Sequence, residues 1–107
     1  MRIVILLAAL GLVDLSATAA QAQNAEIARG RTFAQANCAS CHAIGRIGDS
    51  LLRTAPPFRA LHLRYPVEYI AESLAEGIVT AHPGMPQFRL EVGEIGDLIA
   101  YLKTLEG

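Results

Sequence analysis

The only two cysteines of this 107-residue chain, Cys38 and Cys41, stand three positions apart, and His42 follows at once. A disulfide between them would close too small a loop to hold a fold together, so if the pair stabilises the chain it does so by another chemistry. Such help is needed. Arg2 precedes an apolar run from Ile3 to Val13, and small residues then lead to Ala20-Gln21-Ala22, the layout of a secretory signal with a small-x-small cleavage site. The run is well short of the roughly 20 apolar residues that cross a bilayer, so a membrane anchor is the weaker reading. Residues 1–22 are expected to be removed on export to the periplasm, leaving one domain of residues 23–107 with no membrane span. A domain of that size buries only about 60% of the surface its unfolded chain exposes. A large apolar cofactor bound mid-chain would supply the missing interior.

The remaining pattern is helical, and no stretch alternates with the period of a strand. A first helix is expected over 25–37, with Asn24 as its N-cap and Ile27, Gly30 and Ala34 on one face. A second should begin at Pro66 and end near Gly77, with Val67, Ile70, Ala71, Leu74, Ala75 and Ile78 forming a buried stripe opposite Glu68, Glu72 and Glu76. A third is expected over 91–105, turning Val92, Ile95, Leu98, Ile99, Leu102 and Leu105 inward. Within it, Gly96 either allows a close approach or is simply tolerated. The stretches 45–57 and 81–87 read as loops, rich in glycine and proline.

Charge excludes one class of partner. Without Arg2 and Asp14 the chain holds eight basic and nine acidic residues, and nucleic-acid binding wants a clear basic surplus. The charges are nonetheless uneven: four arginines and one acid lie between Arg46 and Arg64, and six acids with Arg89 alone lie between Tyr65 and Asp97. Ordinary solvated surface is the plainer reading of those blocks, and a docking patch the other.

The decisive segment is Cys38-Ala39-Ser40-Cys41-His42, the attachment pattern for c-type haem. On one turn of helix, residues three apart share a face, so both sulfurs can meet the two vinyl groups along one porphyrin edge. His42 then lies beneath the iron as a nitrogen ligand. Three other readings carry less weight. A thioredoxin-like dithiol wants a βαβ context, a zinc site wants a second ligand pair, and a structural disulfide leaves the histidine unexplained.

Met85 is the leading candidate for the opposite axial position, because Pro83, Gly84 and Pro86 restrict the loop that carries it. His82 and His62 are its rivals. His42 also needs an acceptor for its second ring nitrogen, and a backbone carbonyl of Ala55-Pro56-Pro57-Phe58 is a candidate, with a plain surface turn as the alternative.

Taken in order, Gly30, Cys38 to His42, Ala55-Pro56-Pro57-Phe58, Pro83-Gly84-Met85-Pro86 and Asp97-Leu98-Ile99-Ala100-Tyr101-Leu102-Lys103 resemble the class I cytochromes c of bacteria across almost the whole processed chain. The resemblance implies an all-α fold of about three main helices plus loops around one covalent haem c. In it the first and last helices cross, and Gly30 lets Tyr101 pack closely. It implies that the carbonyl of Pro56 accepts from His42. Three features depart from the family pattern: Ala55 stands where glycine is common, Phe33 lies one place before the usual aromatic, and tryptophan is absent. Tyr65, Tyr69, Arg46, Arg53 and Arg59 are unranked candidates for the haem propionates.

In a porphyrin anchored by Cys38 and Cys41, His42 and Met85 together would leave the iron no vacancy for substrate. The expected function is therefore one-electron transfer rather than enzymatic turnover, by a monomer that passes electrons from a dehydrogenase or quinol-oxidising complex to an oxidase or reductase. A dedicated haem subunit of one periplasmic dehydrogenase is the close alternative. If Met85 does not bind, an open-site peroxidase or gas sensor is the rival of another class.

Overall fold

The computed structural model describes residues 2–78 and 84–107, with side chains from residue 15 onward. His82 and Pro83 lie outside the described residues. The regular elements of the described residues are all helices: α1 spans Arg2–Asn37, a 3-10 helix spans Phe58–Leu63, α2 spans Glu68–Glu76 and α3 spans Val92–Lys103. No strand occurs among the described residues. Nor, among them, is any helix long and apolar enough to cross a membrane.

The first helix is longer than its apolar pattern predicts. No proline or glycine interrupts residues 12–29, and the alanines and glutamines there favour helix, so α1 passes through position 22 without a break. Asn24 consequently lies inside α1 and caps nothing in this chain, which corrects the expected start at Ala25. Residues 15–26 are exposed, whereas Ile27, Gly30, Phe33 and Ala34 turn toward the body.

That body is organised by the crossing of α1 over α3. Gly30 meets the backbone of Asp97 and the Cβ of Tyr101, an approach that leaves no room for a side chain. Beside it the Arg29 guanidinium forks onto the Asp97 carboxylate, Nε to Oδ2 at 3.0 Å and Nη2 to Oδ1 at 3.1 Å. Because the arginine is exposed, this pair sets register more than it adds stability. The buried cluster continues through Ala34, Phe58, Leu61, Val67, Leu74, Leu90, Ile95, Leu98, Tyr101, Leu102 and Leu105.

α3 is opened by a capping box, in which Glu91 and Glu94 satisfy each other's backbone amides. This start leaves Val92 on the solvent side at 85% exposure, a correction to its expected inward position. Gly96 faces open space, so no neighbour requires a glycine there. The first turn of α2 is tighter than an α-helix: Tyr69 N–H donates to Pro66 and Ile70 N–H to Val67, three residues back. Regular helix therefore begins at Glu68 instead of Pro66. Its stripe keeps Leu74 buried and Ile70, Ala71 and Ile78 half-buried, but leaves Ala75 exposed. At its far end Gly77 has a φ of +98°, where glycine is favoured.

The chain then doubles back along α2. Ile78 N–H donates to Phe88 at 3.1 Å, Leu90 N–H to Leu74 at 2.9 Å and Arg89 Nη2 to the carbonyl of Glu76 at 3.1 Å. These bonds anchor the segment that follows Met85. The pair of Lys103 with Glu68 joins α3 to the start of α2.

Candidate functional site

The Cys38–His42 segment closes the end of α1. Asn37 caps the last turn by donating to Phe33, and Cys38 N–H still donates to Ala34 at 2.8 Å. One further turn follows, in which the carbonyl of Cys38 accepts from Cys41 N–H at 3.2 Å and from His42 N–H at 2.9 Å. This turn carries both thiols and the imidazole within five residues. Cys38 and Cys41 are free and half-buried.

The ring of His42 is held from two sides. Its Nδ1 lies 2.7 Å from the carbonyl of Pro56, and since a carbonyl can only accept, Nδ1 must carry the proton. The lone pair is then on Nε2, which is left available as a ligand. Phe58 tilts against the ring at a centroid distance of 5.1 Å. Ala55, where glycine is common in the resembling family, is buried, and no non-glycine residue among those described has a positive φ. The turn that presents Pro56 is therefore unstrained with alanine in place.

Several contacts that position this turn were not legible beforehand. Phe58 N–H donates to Ala43 at 2.9 Å, Ala43 N–H donates to Ser50 Oγ at 3.0 Å, and Leu52 N–H donates to Cys41 at 3.1 Å. From the other side, Tyr101 Oη donates to the carbonyl of Ile44 at 2.6 Å and Arg46 Nη2 to that of Thr104 at 2.5 Å. Residues 43–46 are thus clamped between the 55–58 segment and α3. The polar side chains at Ser50, Tyr101 and Arg46 were the available signal, but their carbonyl partners lie on remote backbone that a one-dimensional pattern does not pair.

Electrostatics separates the readings of the cysteine pair. Burial pushes the Cys38 thiol up to about 11, and the nearby Cys41 adds to the effect. A dithiol oxidoreductase needs the opposite, a thiol lowered enough to be ionised near neutral pH. No group of three or more His, Cys, Asp or Glu side chains suited to a metal ion occurs among the described residues. The geometry that remains is two free thiols on one turn with an oriented imidazole.

The structure brings Cys38, Cys41, His42 and Pro56 together. Met85 stands elsewhere in the chain, half-buried in the bend before Pro86, with no hydrogen bond or ring contact to His42. Of the propionate candidates, Arg46 is engaged with Thr104, Arg53 is exposed, and Tyr65 and Tyr69 are 43% and 69% exposed. Arg59 and His62 are half-buried, and each has a buried ring or guanidinium nitrogen with no partner.

A scan against protein-family descriptions matches residues 27–106 to cytochrome c. The chain belongs to the cytochrome c family. Among curated proteins, the chain is 33% identical over 91 residues to cytochrome c-552 of Bradyrhizobium diazoefficiens, covering 85% of this chain and 86% of that one. It is 39% identical over 80 residues to a cytochrome c-553-like protein of Synechocystis, covering 72% of this chain and 67% of that one. No solved structure matches at a comparable level.

The residues fit the covalent haem c that the cytochrome c family carries. Two unpaired thiols share one turn with an imidazole whose Nε2 is free to bind iron. Around this turn the interior is only partly closed, with Cys38 and Ile44 packing half-buried against the core. An apolar macrocycle anchored at Cys38 and Cys41 would complete that interior.

Proposed function

We propose that this cytochrome c is a periplasmic one-electron carrier in which His42 and Met85 are the axial ligands of the haem iron. The observation that carries the reading is the 2.7 Å contact between His42 Nδ1 and the Pro56 carbonyl, which fixes the tautomer and leaves Nε2 as donor. When bound, haem c supplies reversible one-electron change at its iron.

The chain's own residues set the conditions for that change. Cys38 and Cys41 would hold the macrocycle by thioether bonds and so keep it beside His42. Pro56 and Phe58 keep the His42 ring in one orientation, and its hydrogen bond raises the ligand's basicity. Gly84, Met85 and Pro86 form a bend that presents a thioether, a ligand type that raises the potential. The clamp on residues 43–46 gives both oxidation states the same framework, which keeps reorganisation small. With His42 and Met85 both holding the iron there would be no place for substrate, and the bound haem would supply one-electron exchange in brief encounters with redox partners. The partners proposed are a dehydrogenase or quinol-oxidising complex as donor and an oxidase or reductase as acceptor. The protein acts as a monomer, with residues 1–22 removed on export.

Carbon monoxide tests the ligand set. The ferrous protein at neutral pH is expected to bind it slowly or incompletely, whereas Met85→Ala, with haem still attached, binds it rapidly and fully. Rapid, full binding by the unaltered protein would mean an open site and would favour a peroxidase or gas sensor. Copurification with a larger chain in place of a free monomer would favour the dedicated subunit.

A further inference from the structure

Through His42 the backbone bonds as a helix does, with His42 N–H donating to the carbonyl of Cys38 at 2.9 Å. The next amide leaves that pattern. Ala43 N–H donates to Ser50 Oγ at 3.0 Å, so a hydroxyl from the following loop takes the place of a helical carbonyl. Both residues are half-buried, and an amide stripped of its acceptor there would bear a desolvation cost. Ser50 therefore fixes the peptide that joins His42 to Ala43.

The peptide on the other side of Ala43 leads to the imidazole. Its carbonyl accepts from Phe58 N–H at 2.9 Å. Phe58 follows Pro56 and Pro57, and the carbonyl of Pro56 receives the Nδ1 proton of His42 at 2.7 Å. The Phe58 ring also tilts against the imidazole at 5.1 Å. Because proline restricts φ at both intervening positions, a displacement of Phe58 N–H is passed on to the Pro56 carbonyl instead of being absorbed between them. His42, Ala43, Phe58 and Pro56 thus close a ring of covalent and hydrogen bonds, and Ser50 braces that ring at Ala43.

We propose that Ser50 is a positioning residue for the His42 ligand: by holding Ala43 it keeps the Pro56 carbonyl at short range from Nδ1, and so sets how strongly the imidazole donates. The inference rests on His42 being an axial ligand and adds the residue that tunes it. A carbonyl that accepts from Nδ1–H makes the imidazole more basic, which favours ferric iron; a looser bond favours ferrous iron. Removing the Ser50 hydroxyl is therefore expected to raise the reduction potential.

The test uses holoproteins, with the potential read by redox titration of the haem absorbance and the His42 Nδ1 proton followed by NMR in the ferrous state. In Ser50→Ala that proton should exchange with solvent about fivefold faster, the equivalent of one neutral hydrogen bond. The ferrous-to-ferric ratio at a fixed ambient potential should rise about twofold, which is about 18 mV at 59 mV per tenfold. Ser50→Thr keeps the hydroxyl and should match the parent in both readings. If Ser50→Ala folds poorly, Ser50→Val takes its place, since it fills the volume of threonine without the hydroxyl. Glu91→Ala controls for stability alone: it removes the capping box of α3 and should lower the melting temperature with the potential unchanged.

Parent values of potential and exchange in the variants without the hydroxyl overturn the proposal. So does a shift in Ser50→Thr as large as theirs, or an equal shift in Glu91→Ala, because the potential would then follow stability and not the bond. A parent whose His42 ring gives no haem-bound signal overturns the ligand assignment and this inference together, whereas the other outcomes leave that assignment standing.

Discussion

Gly30→Ala is expected to lower the melting temperature of the holoprotein by at least about 12 °C. A Cβ at this position would stand 1.9 Å from the carbonyl oxygen of Asp97, 2.6 Å from its carbonyl carbon and 2.8 Å from the Cβ of Tyr101. Two of those atoms are backbone and the third is fixed to it, so no rotamer change relieves the clash. The helices must separate, and the Arg29–Asp97 fork and the Tyr101 bond to Ile44 would be strained with them. Overpacking of a tight contact costs about 1–3 kcal/mol and occasionally more, and backbone collision places this case at the upper end. For a domain of this size each kcal/mol corresponds to roughly 4–8 °C. Gly96→Ala is the control: a Cβ there meets no atom within 4 Å, and better helix propensity should stabilise by up to about 1 kcal/mol. A Gly30→Ala melt within a few degrees of the parent, followed by calorimetry or circular dichroism, would refute the close crossing.

Loss of the haem should have a still larger consequence. The chain with both Cys38→Ala and Cys41→Ala, or the chain made without haem attachment, is expected to be largely unfolded at room temperature. Twelve hydrophobic residues form the buried set among the described residues, and a domain of this size has little core to spare. A small domain has only about 5–15 kcal/mol in total, so an incomplete interior removes a decisive share of it. A bound group that recognises only the folded form adds its binding free energy to stability. Each single cysteine variant should retain one thioether and show weakened attachment. A cooperative thermal transition in the haem-free chain would contradict this account.

The parts of the fold that could be read in advance are those written as local periodicity. Ile27, Gly30 and Ala34 recur on one face of α1, and Ile95, Leu98, Leu102 and Leu105 do so at α3; all of these are buried or half-buried. The ends of helices were less legible because hydrogen bonding overrides the pattern there. Val92 has the spacing of a core residue but is turned outward by the Glu91–Glu94 capping box, and Pro66 precedes a turn with three-residue bonds in place of starting an α-helix. The 3-10 helix was not foreseen, since its threefold repeat over six residues is too short to stand out from irregular chain.

At the site, the Cys38–His42 spacing was readable because five consecutive residues contain both thiols and the imidazole. The Tyr101–Ile44 and Arg46–Thr104 bonds were not, because each joins a side chain to a backbone carbonyl more than fifty residues away.

The central claim is that one porphyrin is bonded covalently to Cys38 and Cys41 in an exported chain. The intact mass of the protein purified from its native host under denaturing conditions tests it most directly. The account predicts the mass of residues 23–107 plus one haem, with neither cysteine reactive toward a thiol reagent. A mass equal to the polypeptide alone, with both thiols free, would contradict it.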